Sequence, residues 1–139
     1  MDLISIVPSF NLYDAPWPIR TYQAPSPPAK TLFPDKQDNR VGVALESLIA
    51  YGCIISCSHV QRSILSPRVR VHSYAQVYDS ILMEGGIHRG ARIKRAIIDK
   101  IVVIPEGYEI GYDLEAGRNK FVITPNGVVV VSKGMVLEH

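Results

Sequence analysis

The sequence predicts an all-β protein, a single-stranded parallel β-helix in which successive short strands wind around a stack of coils. Similar six-residue segments recur 16 to 17 residues apart, and their aliphatic positions do not follow the 3.6-residue period of a helix. Three steps of six residues make a coil of about 18 residues, close to that spacing. Each coil would pair with the next at about 4.8 Å.

A first set of repeats places an aliphatic residue, two polar residues, a small residue and two aliphatic residues in order. It occupies residues 60–65, 77–82 and 93–98. Equivalent positions of stacked coils form columns in the interior of such a fold. The expected buried columns are Val60, Val77 and Ile93, and Ile64, Ile81 and Ile97.

A second set of repeats lies between the members of the first, at residues 69–75, 87–91 and 104–108. In each, an inward aliphatic residue precedes another inward residue by four positions, as Val71 precedes Ala75 and Ile87 precedes Ala91. About four coils follow from the two sets together. The β-helix domain is predicted to span residues 41–136, and its first segment, 41–49, is either a helical turn or a first strand.

Both ends of the chain differ in character from the repeats. Residues 1–40 contain seven of the ten prolines and several large apolar side chains, which predicts an extended arm that lies on this domain or on another one. Residues 121–131 predict a hairpin with Asn126-Gly127 as its turn. We expect the arm and the hairpin to cover the open ends of the sheets. Residues 137–139 resemble the start of a polyhistidine tag.

No catalytic or metal-binding pattern stands out. Cys53 and Cys57 resemble half of a zinc site, but a second ligand cluster is missing, so two reduced thiols are the simpler interpretation. His72 and His88 occupy the same repeat position, where Pro105 takes the third place, and we expect both to face solvent. The N-terminus does not resemble a signal peptide, and no stretch is long and apolar enough to predict a membrane partner.

Residues 59–100 carry eight basic and three acidic side chains. Such a surface attracts phosphate-bearing ligands, although the outward positions of any β-helix are polar. The whole chain has a net charge of only +2, too balanced to predict a nucleic-acid partner.

Several longer segments resemble the ADP-glucose pyrophosphorylase (glucose-1-phosphate adenylyltransferase) family. They lie at residues 17–23, 27–30, 52–56, 69–75, 96–100 and 103–107. The resemblance implies a left-handed β-helix, although most parallel crossovers are right-handed. It also implies a cytoplasmic homotetrameric parent enzyme that joins ATP and glucose 1-phosphate into ADP-glucose and pyrophosphate with Mg²⁺, in bacterial glycogen synthesis.

The same resemblance implies that this chain is the C-terminal region, inactive alone and without a cofactor of its own. The Gly-rich nucleotide loop, metal-binding acids and sugar-phosphate lysine of the family's catalytic domain do not occur in it, so that domain is an expected partner. The family's C-terminal domain helps to bind phosphorylated effectors. By this resemblance, Lys100 and Lys133 are the candidate effector-phosphate ligands; arginine often stands there, and lysine lacks its bidentate contacts.

Two other interpretations remain open at this stage. A hexapeptide-repeat acyltransferase would act as a trimer with His72 or His88 as its base, but it commonly has more coils and has no role for the arm. Another sugar-nucleotide transferase, or a guanine-exchange subunit of translation initiation, shares the β-helix, although residues 17–23 argue against both.

Overall fold

The computed structural model describes residues 2–32 and 42–138. Its short strands stack into three sheets, which form the faces A, B and C of a coil. Face A contains β1 (Lys30–Leu32), β4 (Ile54–Ser56), β7 (Arg70–Val71), β10 (Gly85–Ile87) and β13 (Val102–Ile104). Face B contains β2 (Val43–Leu45), β5 (His59–Gln61), β8 (Gln76–Tyr78), β11 (Arg92–Lys94) and β14 (Glu109–Ile110). Face C contains β3 (Leu48–Ile49), β6 (Ile64–Leu65), β9 (Ile81–Leu82), β12 (Ala96–Ile98), β15 (Val122–Ile123) and β16 (Val129–Val131).

Parallel pairing between equivalent strands of successive coils confirms the predicted β-helix of about four coils. On face B, Val60 pairs with Val77 and Val77 with Ile93, and all three side chains are 0% exposed. On face A, Val71 and Ile87 are equally paired and buried. The predicted first inward column is therefore confirmed, while the handedness of the coil stays a prediction from the resemblance.

The second predicted column is correct in its strand register, but its side chains lie on the outer side of the sheet and not on the predicted inner side. Ile64, Ile81 and Ile97 do pair in succession, yet each is only half-buried. The next residue of each strand fills the interior instead; these residues are Leu65, Leu82 and Ile98. The reason is the period of two along a strand: the small fourth residue of each repeat already points inward, so the fifth must point outward.

That small fourth residue builds a ladder of buried hydroxyl groups at the corner before face C. Ser63 Oγ accepts a hydrogen bond from the Ser80 amide at 3.2 Å, and Ser80 Oγ accepts one from the Ala96 amide at 3.1 Å. Each hydroxyl also donates to the carbonyl two residues earlier in its own coil. The ladder satisfies backbone groups that the turn leaves unpaired.

The residue before the small fourth residue of each repeat (Ser63, Ser80 or Ala96) takes the left-handed backbone conformation. Arg62 and Asp79 have φ values of 46° and 48°, and Arg95 has 49°. Non-glycine residues rarely adopt this region, and the corner imposes it because the chain must turn sharply from face B to face C. Their polar side chains consequently leave the coil on its outer surface.

The C-terminal hairpin is confirmed. Strands β15 and β16 are antiparallel, and Gly127, at φ 76°, lies in their turn. Strand β16 also pairs with β12 in parallel, so the hairpin extends face C and covers its last edge. A short helix, α1 (Leu114–Gly117), precedes the hairpin, and the Asp113 carboxylate accepts a hydrogen bond from the Ala116 amide there.

The N-terminal segment starts as a short 3₁₀ turn (Asp2–Ile4) and continues without regular structure to β1, which pairs with β4. Many of its large apolar side chains are exposed, including Trp17 at 73% and Tyr22 at 84%. Residues 41–49 form strands where they are described, not a helical turn. Residues 1, 33–41 and 139 lie outside the described residues. Leu137 packs against the core.

Candidate functional site

Lys100 and Lys133 lie side by side at the corner between faces C and A. The Gly134 amide donates to the Lys100 carbonyl at 3.0 Å, and the Asp99 amide donates to the Val131 carbonyl at 3.1 Å. These bonds place the two lysines at equivalent positions of adjacent coils, whose backbones are about 4.8 Å apart. The fold thus brings together the two residues that the resemblance singled out.

Local structure keeps both lysines at the surface. Each directly precedes a residue in the left-handed conformation, Ile101 at φ 61° and Gly134 at φ 68°, where the chain turns onto the next face. Both lysines are exposed. Within residues 2–32 and 42–138, neither side-chain amine has an ion-pair or hydrogen-bond partner. Two cations without an anion are thus available to a ligand.

Two further charged residues share this corner, and the sequence analysis missed their placement. Glu84 lies one coil before Lys100, since the Ile101 amide donates to the Glu84 carbonyl at 2.9 Å. Arg68 lies one coil further, with its Nη2 2.9 Å from Glu84 Oε1. We call Arg68, Glu84, Lys100 and Lys133 the corner column. The spacing of 16 residues from Arg68 to Glu84 and from Glu84 to Lys100 was the available signal.

Many of the other basic side chains in residues 59–100 have partners, which reduces the expected basic surface. Arg62 forms an ion pair with Asp79, Arg92 forms one with Glu109 and lies over Tyr112 at 4.2 Å, and Arg89 lies over the Tyr74 ring at 4.7 Å. Paired cations give less attraction to an incoming phosphate. Lys100 and Lys133 therefore differ from these paired cations, because neither amine has an anionic partner among the described residues.

A surface groove of about 480 Å³ lies at another corner, between faces B and C. It is lined by Ile4, Ser5, Glu46, Arg62, Asp79, Arg95 and Val128. The Arg62 guanidinium donates to both Asp79 oxygens, at 2.6 and 3.0 Å. The hydrogen bond from Arg62 lowers the pKa of Asp79 below its ordinary value. The charges lining this groove alternate in sign, which makes it a poor anion site.

The two candidate histidines lie at the surface, and the two candidate cysteines lie in the interior. His72 and His88 are exposed on adjacent coils with ring centroids 5.3 Å apart, as their shared repeat position predicted. Cys53 and Cys57 are buried free thiols; burial raises the pKa of Cys53, whose Sγ donates to the Ser66 carbonyl. In the described part of the chain, no three His, Cys, Asp or Glu side chains are placed to hold a metal ion.

No helix among the described residues is both long and apolar enough to cross a bilayer.

Comparison with known proteins agrees with the fold and with the resemblance. The family model described as "GlmU-like, C-terminal hexapeptide" matches residues 27–131. A glucose-1-phosphate adenylyltransferase of Anaeromyxobacter sp. (strain Fw109-5) is 50% identical over 139 residues, covering 99% of this chain and 34% of that protein. The enzyme of that name from Bifidobacterium adolescentis is 46% identical, covering 99% of this chain and 33% of its own length.

A third relative, the glucose-1-phosphate adenylyltransferase of Koribacter versatilis (strain Ellin345), is 48% identical over 134 residues. The chain spans about a third of the length of these curated relatives. The region matched by the family model begins in the arm and ends with the last strand of face C, so it includes Arg68, Glu84 and Lys100 and ends two residues before Lys133. The chain belongs to the GlmU-like C-terminal hexapeptide family, and it corresponds to one third of the glucose-1-phosphate adenylyltransferases that it resembles.

Proposed function

We propose that this chain is the regulatory and assembly domain of a glucose-1-phosphate adenylyltransferase, and that Lys100 and Lys133 bind the phosphate of an effector. The observation that carries the proposal is the meeting of two exposed, unpaired lysines on adjacent coils. Residues far apart in the sequence thereby form one compact positive site. A phosphate group bound between them would accept hydrogen bonds from both amines.

The whole enzyme would convert ATP and glucose 1-phosphate into ADP-glucose and pyrophosphate with Mg²⁺, in the cytoplasm. Its catalytic domain would precede this chain and would supply the nucleotide and metal ligands. This chain alone would be inactive, and it would contribute to a tetramer. A phosphorylated metabolite bound at Lys100 and Lys133 would alter the activity of that catalytic domain.

Apolar surface supports a further domain as partner. The outward residues of face C form an aliphatic column, each member half-buried: Leu48, Ile64, Ile81, Ile97 and Val130. The arm adds exposed apolar groups such as Ile6 and Trp17. Exposed apolar patches on soluble proteins commonly mark interaction sites. The remaining two thirds of the relatives' length provide a partner of suitable size.

Calorimetric titration with inorganic phosphate, AMP and glucose 6-phosphate tests the lysine site. Each lysine should contribute about 1.5–3 kcal/mol through a charged hydrogen bond, so Lys100→Gln and Lys133→Gln should each weaken binding by about tenfold or more. Lys94→Gln is the matched control, because Lys94 is an exposed lysine on face B. Equal affinities for the wild type, Lys100→Gln and Lys133→Gln would refute the effector site.

The same substitutions test regulation when they are made in the complete enzyme. We expect Lys100→Gln to raise the effector concentration needed for half-maximal response while the activity without effector stays near that of the wild type. A loss of activity without any change in effector response would instead assign Lys100 to stability or assembly.

A further inference from the structure

His72 and His88 lie on adjacent coils at the corner between faces A and B, and the backbone holds both in the same way. The His72 amide donates to the Ile87 carbonyl at 2.9 Å, and the His88 amide donates to the Ile104 carbonyl at 3.0 Å. Each histidine carbonyl accepts a hydrogen bond from the amide three residues later, at 3.3 Å. The two side chains therefore start from equivalent backbone positions about 4.8 Å apart.

The two imidazole rings are accessible to a ligand. Both side chains are exposed, and their ring centroids are 5.3 Å apart with an interplanar angle of 66°. Within residues 2–32 and 42–138, neither ring forms a hydrogen bond or an ion pair. The guanidinium of Arg89, which follows His88 in the sequence, lies over the Tyr74 ring at 4.7 Å. The nitrogens of both imidazoles are thus available for coordination.

The separation of the rings fits a tetrahedral metal ion. With Zn–N bonds of about 2.0–2.1 Å and a ring centre about 1.15 Å beyond each nitrogen, the ion lies about 3.2 Å from both ring centres, which places these centres about 5.2 Å apart. The observed separation is 5.3 Å. Two adjacent ligands of an octahedral ion would bring the ring centres to about 4.6 Å. The existing arrangement therefore favours tetrahedral coordination.

A third protein ligand is missing, so the site would be open. Pro105 takes the equivalent position on the next coil, since Ile87 pairs with Ile104, and proline cannot coordinate a metal. In the part of the chain that the structure describes, no other His, Cys, Asp or Glu side chain is placed to complete a set of three. Imidazole suits Zn²⁺ and related transition metals, whereas Mg²⁺ and Ca²⁺ prefer oxygen ligands.

We propose that His72 and His88 together bind one zinc-class transition metal ion in tetrahedral geometry. Water, or groups from another molecule, fill the two remaining coordination positions. The ion exchanges with solution, because only two protein ligands hold it and the exposed cation Arg70 lies two residues before His72. This site is independent of the lysine site, which lies at a different corner of the coil.

Calorimetric titration of the 139-residue chain with zinc chloride tests the site. We expect one ion per chain, and His72→Asn and His88→Asn should each weaken binding by about tenfold or more, because the second imidazole binds intramolecularly. His59→Asn is the matched control, since the half-buried His59 contacts Gln61 and Tyr78 instead. All proteins carry His139→Asn, so that the C-terminal histidine does not compete for the metal.

Cobalt(II) gives a second measurement that needs no substitution at the site. Co²⁺ absorbs visible light strongly in tetrahedral sites and weakly in octahedral ones, so the proposal requires the intense spectrum. Equal zinc affinities for the parent chain, His72→Asn and His88→Asn would overturn the site. A weak, octahedral Co²⁺ spectrum, or displacement of zinc by an equal concentration of Mg²⁺, would also overturn it.

Discussion

At the scale of single residues, the buried serines at the corner before face C hold successive coils together. Ser80 Oγ accepts a hydrogen bond from the Ala96 amide and donates one to the Tyr78 carbonyl. Ser80→Ala would leave the buried Ala96 amide unpaired, whereas the Tyr78 carbonyl would keep its hydrogen bond from the Arg95 amide. We therefore expect it to lower the free energy of unfolding by about 1–3 kcal/mol. Urea titration measures this, with the exposed Ser132→Ala as control. Equal unfolding midpoints would show that water or rearrangement replaces the hydroxyl.

The ion pair between Arg62 and Asp79 predicts a pH dependence. Arg62 lowers the pKa of Asp79 below its ordinary value of 3.8, so the pair stabilises the fold above that pH and loses its contribution as the pH falls through the lowered pKa. The side chains are 45% and 34% exposed, so the contribution is below about 1 kcal/mol. Melting temperatures should therefore favour the wild type over Asp79→Asn at neutral pH, and this difference should vanish in acid.

At the scale of the strand, neighbouring residues on β9 have opposite roles. Leu82 is 3% exposed in the interior, so Leu82→Asp buries an unpaired charge and should unfold the domain, at a cost above about 4 kcal/mol. Ile81→Asp changes the outer column and should cost only about 1 kcal/mol. Circular dichroism and urea unfolding distinguish the two variants. Equal disruption by both would mean that the outer column is also enclosed.

The strand register could be predicted from the sequence, but the direction of some side chains could not. Repeats 16 to 17 residues apart fixed which strands pair. They did not fix the inward side of Ile64-Leu65 or Ile81-Leu82, because two adjacent aliphatic residues carry no alternation. The burial of Ser63 and Ser80, at 0% exposure, sets that side. Strand β1 was not predicted, because three residues in a proline-rich region give no periodic signal.

At the scale of the whole molecule, the fold controls whether the lysine site exists. Lys100 and Lys133 are 33 positions apart, twice the coil spacing, because α1 and β15 intervene before β16 returns to β12. No repeat period predicts that return, so only the family resemblance selected these lysines in advance. Arg68 and Glu84 do follow the period. The structure was still needed to show that their side chains meet.

The first two strands of the stack are largely exposed to solvent. All three residues of β1 and two of the three in β2 are exposed, and within residues 2–32 and 42–138 each strand pairs with one neighbour. Because every coil contacts only its neighbours, opening should begin there and progress inward. Hydrogen–deuterium exchange should therefore be faster at Lys30–Leu32 and Val43–Leu45 than at residues 77–98. Opening of the first coil would not move Lys100 and Lys133, which lie on the last coils. Phosphate could therefore bind to molecules whose first coil is already open.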